Sequence, residues 1–190
     1  MSVKILCKSY GINEGVLDLR DKRISELPES ISKLISLEVL YLSHNRLTAL
    51  PESIGNLINL KVLYLNHNQL KNLPESIGNL VNLTYLDLHK NQLTSLPESI
   101  CKLTILANLC LDKNQLTILP KSIINIKSSL RMYIESYEIN NLNPDTEFLI
   151  FFELLDELTN LPTGLKEIWI HREEKGLNHK LPFGCVKKYF

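Results

Sequence analysis

The sequence predicts an α/β solenoid, a right-handed superhelix with short parallel strands on its concave face and short helical or 3-10 segments on its convex face. Three observations predict it. The octet LPESIGNL fills residues 50 to 57 and recurs letter for letter at 73 to 80, with the near copies LPESISKL, LPESICKL and LPKSIINI starting at Leu27, Leu96 and Leu119. These five starts lie 23 residues apart, and a fixed period of that length marks stacked supersecondary units. Four octets are followed by alternating segments, LEVLYLSHNRL, LKVLYLNHNQL, LTYLDLHKNQL and LANLCLDKNQL, starting at Leu37, Leu60, Leu83 and Leu106.

Each element follows from its residues. In the alternating segment, a triplet such as Leu63-Tyr64-Leu65 has the period of two that a strand requires, with leucines inward and the middle side chain outward. Asn45, Asn68, Asn91 and Asn114 then fall in the turn leaving each strand, where a carboxamide can bond backbone groups of its own and the next repeat. The Pro-Glu pair of the octet suits the first turn of a helical segment, because proline has no amide hydrogen to lose there and an acid favours the positive end of the peptide dipoles. Ile31, Ile54, Ile77, Ile100 and Ile123 recur on one side of the coil, and Leu34, Leu57, Leu80 and Leu103 follow each of the first four at a spacing of three. No copy can bury these side chains alone, so the copies must stack, and packing explains the octet better than a phosphorylation or recognition motif does.

Here the residues resemble a known family. LxxLxLxxNxL is the signature of leucine-rich repeats, and the preceding LPxxIxxLxxL is similar to the 23-residue class of intracellular proteins; the match runs through residues 14–142. The resemblance implies a leucine-rich-repeat solenoid acting as a protein-binding module or adaptor, similar to Ras-group and effector-type members, with a small GTPase as one partner it implies. The later stretch LPTGLKEIWI, Leu161 to Ile170, resembles repeats of bacterial effectors whose recognition domain precedes a ubiquitin ligase. Two alternatives therefore stand beside the adaptor: the recognition domain of such an effector without its catalytic domain, and a self-associating structural protein.

The repeats fade at both ends, as capping units do. Residues 1–190 read as one domain: a cap and degenerate repeat over 1–26, five repeats over 27–141 with the last degenerate, and an enlarged cap with a tail over 142–190. Within that cap, Phe148, Phe151, Phe152, Leu155 and Leu158 lie at helical spacing, predicting a helix over 145–159 that covers the apolar end or serves as a dimerisation face. Leu161 to Ile170 supplies one more strand, for about seven in all.

Composition narrows the function. Lys plus Arg and Asp plus Glu number 21 each, so a nucleic-acid or anionic-membrane partner lacks its main driving force. The apolar run FLIFF, 148–152, falls far short of the roughly 20 residues that span a bilayer. Cys7, Cys101, Cys110 and Cys185 form no CxxC pair, and the N-terminus has no signal-peptide pattern, which predicts reduced thiols in a cytoplasm. The bias to Ile, Asn and Lys, with 16 Lys against 5 Arg, points to an AT-rich genome such as that of an intracellular bacterium, a large DNA virus or a protist, and for an intracellular bacterium or virus host cytoplasm would be the site of action. No phosphate loop, nucleophile elbow or HExxH helix is present, so no enzyme, cofactor or metal is expected.

Function belongs where the repeats differ. Outward positions of successive strands form columns whose neighbouring members lie about 4.8 Å apart. They collect Tyr41, Tyr64, Asp87, Tyr133 and Trp169 in one column and Tyr85 in the column before; His89 and Asp112 follow the second leucine, and His44 and His67 come one place later. Aromatics ringed by charge are what protein-binding hot spots are made of, which makes this panel the expected partner surface of a monomer. A zinc site on the histidine pair would want a third ligand, for which only His89 offers itself.

Overall fold

A computed structural model describes residues 2–5, 8–11, 15–117 and 119–120, with the strand backbones at 131–133, 148–151, 167–170 and 186–189. Its main body is a six-stranded parallel sheet in chain order: β3 (Val16–Asp18), β4 (Val39–Tyr41), β5 (Val62–Tyr64), β6 (Tyr85–Asp87), β7 (Asn108–Cys110) and β8 (Arg131–Tyr133). Leu17, Leu40, Leu63, Leu86, Leu109 and Met132 sit in register, so the 23-residue period of the sequence is the strand-to-strand step of the sheet.

Three-residue strands leave room on each rung for a turn and a return path. The return is a 3-10 segment, at Glu29–Lys33, Glu52–Asn56, Glu75–Asn79 and Glu98–Lys102. Pro28, Pro51, Pro74 and Pro97 stand one residue earlier than the sequence suggests, as extended N-caps. With three residues per 3-10 turn, Ile31 and Leu34 and their equivalents share a face, and both are completely buried. One leucine core runs through all described repeats, from Leu17 to Leu119.

The asparagine ladder is present, but it points backwards. Asn68 Oδ1 accepts from Leu47 N at 3.0 Å while its Nδ2 donates to Leu42 O and Leu65 O, both at 2.9 Å. Each carboxamide therefore ties its own repeat to the preceding one rather than to the next. The residue before each asparagine lies in the left-handed region: φ is 57° at His44, 56° at His67, 55° at Lys90 and 57° at Lys113. That region costs an ordinary L-residue about 1–2 kcal/mol, and the surrounding ladder holds it there.

The ends differ from expectation. The N-terminal cap contains an antiparallel hairpin, β1 (Ser2–Ile5) with β2 (Lys8–Gly11), which the repeat pattern does not announce. Phe148–Phe151, expected as helix, is strand β9; it pairs in parallel with β10 (Glu167–Ile170), which pairs in turn with β11 (Val186–Tyr189). A short run of large apolar residues fits a strand as readily as a helix, and periodicity alone cannot separate them. The expected seven strands of one sheet are thus six plus a separate three-stranded sheet. The rest of 145–159, and the tail apart from β11, lie outside the described residues. Among the described residues no helix is long and apolar enough to cross a membrane.

Candidate concave interaction surface

Because leucines fill the inward positions of each strand, residues 39, 41, 62, 64, 85, 87, 108 and 110 are left on the other face, where all are partly exposed. On this panel Tyr41 and Tyr64 stack with centroids 5.0 Å apart and planes 13° from parallel. The third ring comes from the neighbouring column: Tyr85 is in register with Val62, yet its ring tilts against Tyr64 at 5.0 Å. Arg20 caps the row, its guanidinium 4.7 Å from the Tyr41 centroid and also bonded to both oxygens of Asp18. At the other end the Tyr85 hydroxyl meets Cys110 Sγ at 3.8 Å.

A second row runs beside the first. His44 stacks on His67 at 4.1 Å, His67 meets His89 at 5.4 Å, and His89 Nδ1 contacts Asp112 Oδ2. Ser43 Oγ donates to Asn66 Oδ1 at 2.5 Å in the column between. The structure thus joins Tyr41, Tyr64 and Tyr85 in one row and His44, His67, His89 and Asp112 in another, with Asp87 accepting the His89 amide at 3.0 Å. Tyr133 lies on β8 of the same sheet, with its side chain outside the described residues. Trp169 is not in this sheet: it sits on β10, in register with Ile150 of β9, so the column is broken where the interval departs from 23 residues.

Electrostatically the panel is quiet. Burial first, then Asp87, pushes the Cys110 thiol up to about 12, so it stays protonated and a poor nucleophile. Burial, followed by the nearby Cys110, lifts the Tyr85 phenol well above its ordinary value. Asp18 is held low by its hydrogen bond from Arg20. Asp87 moves the other way, raised chiefly by burial and only partly offset by the His89 amide.

The last shift predicts a pH effect. A carboxyl whose folded value lies above its unfolded value of 3.8 binds more protons folded than unfolded between the two, so stability falls as pH rises through that window and stays lower above it. Asp87→Asn, whose Oδ1 still accepts the His89 amide, removes that loss. Urea midpoints should be higher than wild type at pH 7 and should converge below the unfolded value; a variant weaker at pH 7 would contradict the burial of this carboxylate.

Sequence reasoning missed Arg20 and Cys110 as the ends of the tyrosine row, though Cys110 stands in the column of Tyr41 and Tyr64 and Arg20 in an adjacent one. The columns were expected to share one panel, and the contacts across them are diagonal, Tyr85 leaning on Tyr64 and His89 on His67. Among the described residues no group of three or more His, Cys, Asp and Glu side chains could hold a metal ion.

The family description "Leucine-rich repeat region" matches residues 52–181 and "Leucine rich repeat" matches 16–70. No curated protein matches the chain. Among solved structures, a leucine-rich-repeat protein of Leptospira interrogans superposes with a TM-score of 0.61 at 25% identity, over 83% of this chain and 50% of its own. The chain therefore spans half the length of that protein. The leucine-rich-repeat ectodomain of the receptor kinase SOBIR1 from Arabidopsis thaliana gives a TM-score of 0.54 at 29% identity, over 62% of this chain and 66% of that one. The BIR3–SERK2 complex from the same plant gives 0.53 at 29% identity, over 63% and 67%.

Proposed function

The chain belongs to the leucine-rich-repeat family, and from that premise we propose that it is a non-catalytic module that binds a protein partner on its concave strand face. The observation that carries this reading is the stacked row of Tyr41, Tyr64 and Tyr85 under Arg20. The fold does not require aromatic rings there, since the leucine core closes beneath them. Stacking fixes the rings before a partner arrives, so less side-chain freedom is lost on binding. Rigid, half-exposed aromatics beside arginine are the residues that dominate protein interfaces.

Solved relatives support a protein partner: one is a receptor-kinase ectodomain and another a complex of two proteins. Cys101 and Cys110 are free thiols, which suits a reducing compartment, so we place the module in a cytoplasm, where an adaptor role and a small GTPase partner are to be tested first.

Affinity capture from native cytosol, followed by titration of the captured partner, tests the surface. Tyr41→Ala with Tyr64→Ala should weaken binding by at least about 3 kcal/mol, more than 100-fold, while far-UV circular dichroism stays that of wild type. Equal retention by the double variant would move the interface off this row.

A further inference from the structure

The equal numbers of acidic and basic side chains, 21 each, conceal a sorting of charge around the solenoid. Consider the flank where the chain leaves each strand and turns back toward the octet. From the second described repeat to the fifth it presents Arg46, Lys71, Lys90 and Lys113, all exposed, beside His44 and His67. Its one acid over that stretch, Asp112, is already occupied by His89. Exposed acids of these repeats recur instead on the return path, at Glu29, Glu52, Glu75 and Glu98, the first residues of the 3-10 segments, while the exposed acids of this flank, Asp21 and Glu26, belong to the first repeat.

The ion pairs among the described residues are Arg20–Asp18, Lys61–Glu38 and His89–Asp112. None involves a cation of this flank between the second and fifth repeats. The register of the flank is fixed by backbone bonds: His44 N donates to Asn66 O at 3.0 Å, His67 N to His89 O at 3.0 Å and Lys90 N to Asp112 O at 2.9 Å. Residues 44, 67, 90 and 113 consequently form a column with the inter-strand spacing of about 4.8 Å, and charges so close add within a Debye length of about 8 Å. These are also the left-handed positions, where glycine would sit without strain; instead the chain keeps two histidines and two lysines. His67 responds to the field they make: it is held below its ordinary value by burial first, then by His44, Lys90, His89 and Lys113.

We propose that this strand-exit flank, presenting Arg46, Lys71, Lys90 and Lys113 beside His44 and His67, docks an acidic, extended polypeptide segment. It lies beside the tyrosine row and does not depend on it. A polypeptide fits better than the other polyanions. A single-stranded nucleic acid would need free aromatic faces, but the faces of Tyr41 and Tyr64 are covered by one another and by Arg20 and Tyr85. An anionic membrane would want exposed apolar side chains, and Ile35, Ile58, Val81 and Ile105 lie on the other flank, after the 3-10 segments. In an extended peptide every second side chain returns to one face at about 6–7 Å, and the long stems of Arg46, Lys71, Lys90 and Lys113 span the difference from the roughly 4.8 Å between strands, so glutamates at alternate positions can lie along the flank.

The test uses the full chain and a fluorescein-labelled peptide of alternating Glu and Ser, read by anisotropy at low and at physiological salt. Wild type should bind, more weakly as salt rises. Lys90→Glu with Lys113→Glu should weaken binding at least tenfold, and Lys90→Gln with Lys113→Gln by an intermediate factor. Lys33→Glu with Lys102→Glu, the same change of net charge on the opposite wall, should cost less than twofold, as should Tyr41→Ala with Tyr64→Ala. The proposal is overturned if wild type does not bind, if both charge reversals weaken binding equally, if the tyrosine variant abolishes it, or if single-stranded DNA or phosphatidylserine vesicles bind more tightly than the peptide.

Discussion

Asn68→Ala should lower stability by about 3 kcal/mol, although the change deletes no apolar contact. The carboxamide of Asn68 is buried and makes three good bonds, accepting from Leu47 N at 3.0 Å and donating to Leu42 O and Leu65 O at 2.9 Å. Each such bond contributes a net 0.5–1.5 kcal/mol or so, and a buried group stranded without one costs roughly 1–3 kcal/mol. Alanine strands the buried Leu47 amide, while Leu42 O keeps Asn45 Nδ2 at 2.9 Å and Leu65 O keeps Asn91 Nδ2 at 3.0 Å, so the cost is one orphaned donor and the net loss of two further bonds, at a turn that also holds His67 in the left-handed region. Asn59 is the internal control: it donates a single bond to Ile35 O at 2.8 Å from an exposed position, so Asn59→Ala should cost about 1 kcal/mol or less. Urea denaturation monitored by circular dichroism measures both. In a stack where each repeat touches only its neighbours, the Asn68 variant should also unfold over a broader range, because the bond it loses couples two rungs. A loss at Asn68 no greater than at Asn59 would remove the ladder from the account of stability.

How much of this could be read beforehand depended on whether a residue answers to the repeat or to its own surroundings. Leu63, Leu65 and Ile54 were legible because identical partners stand 23 residues away on both sides, and a side chain between two copies of its own environment has one place to go. The outward set Tyr41, Tyr64 and His67 followed from the same alternation. What the period does not encode was lost. Tyr85 occupies a valine column and joins the tyrosines only through the lean of its ring. Asn68 reaches back to Leu42 and Leu47 rather than forward, a direction set by the geometry of the turn and not by spacing. Phe148–Phe151 belongs to no repeat, and its large apolar residues satisfy strand and helix templates alike, so the choice fell to pairing with Glu167–Ile170, distant in sequence. The sorting of charge was not legible for a related reason: a total of zero says nothing about which flank each lysine occupies.

Gly78→Ala should destabilise the solenoid by about 3 kcal/mol, and the cause lies outside the mutated repeat. Gly78 does not have a positive φ, so its own backbone does not demand glycine. A Cβ there would fall 2.3 Å from Ser99 O and 2.7 Å from Ser99 Cβ, and at Gly55 it would meet Ser76 O at 2.5 Å. Those are atoms of the next 3-10 segment, which Ile100 anchors in the core with no exposed surface. Relief therefore means moving that segment outward and opening the contact between the two rungs, an overpacking cost of about 1–3 kcal/mol in an ordinary core and at the upper end here because the obstacle is backbone. Cys101 shows what the position itself permits. It holds the equivalent place one repeat later, half-buried, with Sγ donating to Glu98 O at 2.7 Å, so a side chain is compatible with the 3-10 conformation. Cys101→Gly should accordingly cost only about 0.5–1 kcal/mol, the entropic penalty of glycine, while Gly78→Cys should be at least as damaging as Gly78→Ala. Thermal melts of the three variants separate the explanations: if Gly78→Ala melts with wild type, the 3-10 segments are further apart than their glycines imply, and the exact repetition of LPESIGNL needs a cause other than the closeness of one copy to the next.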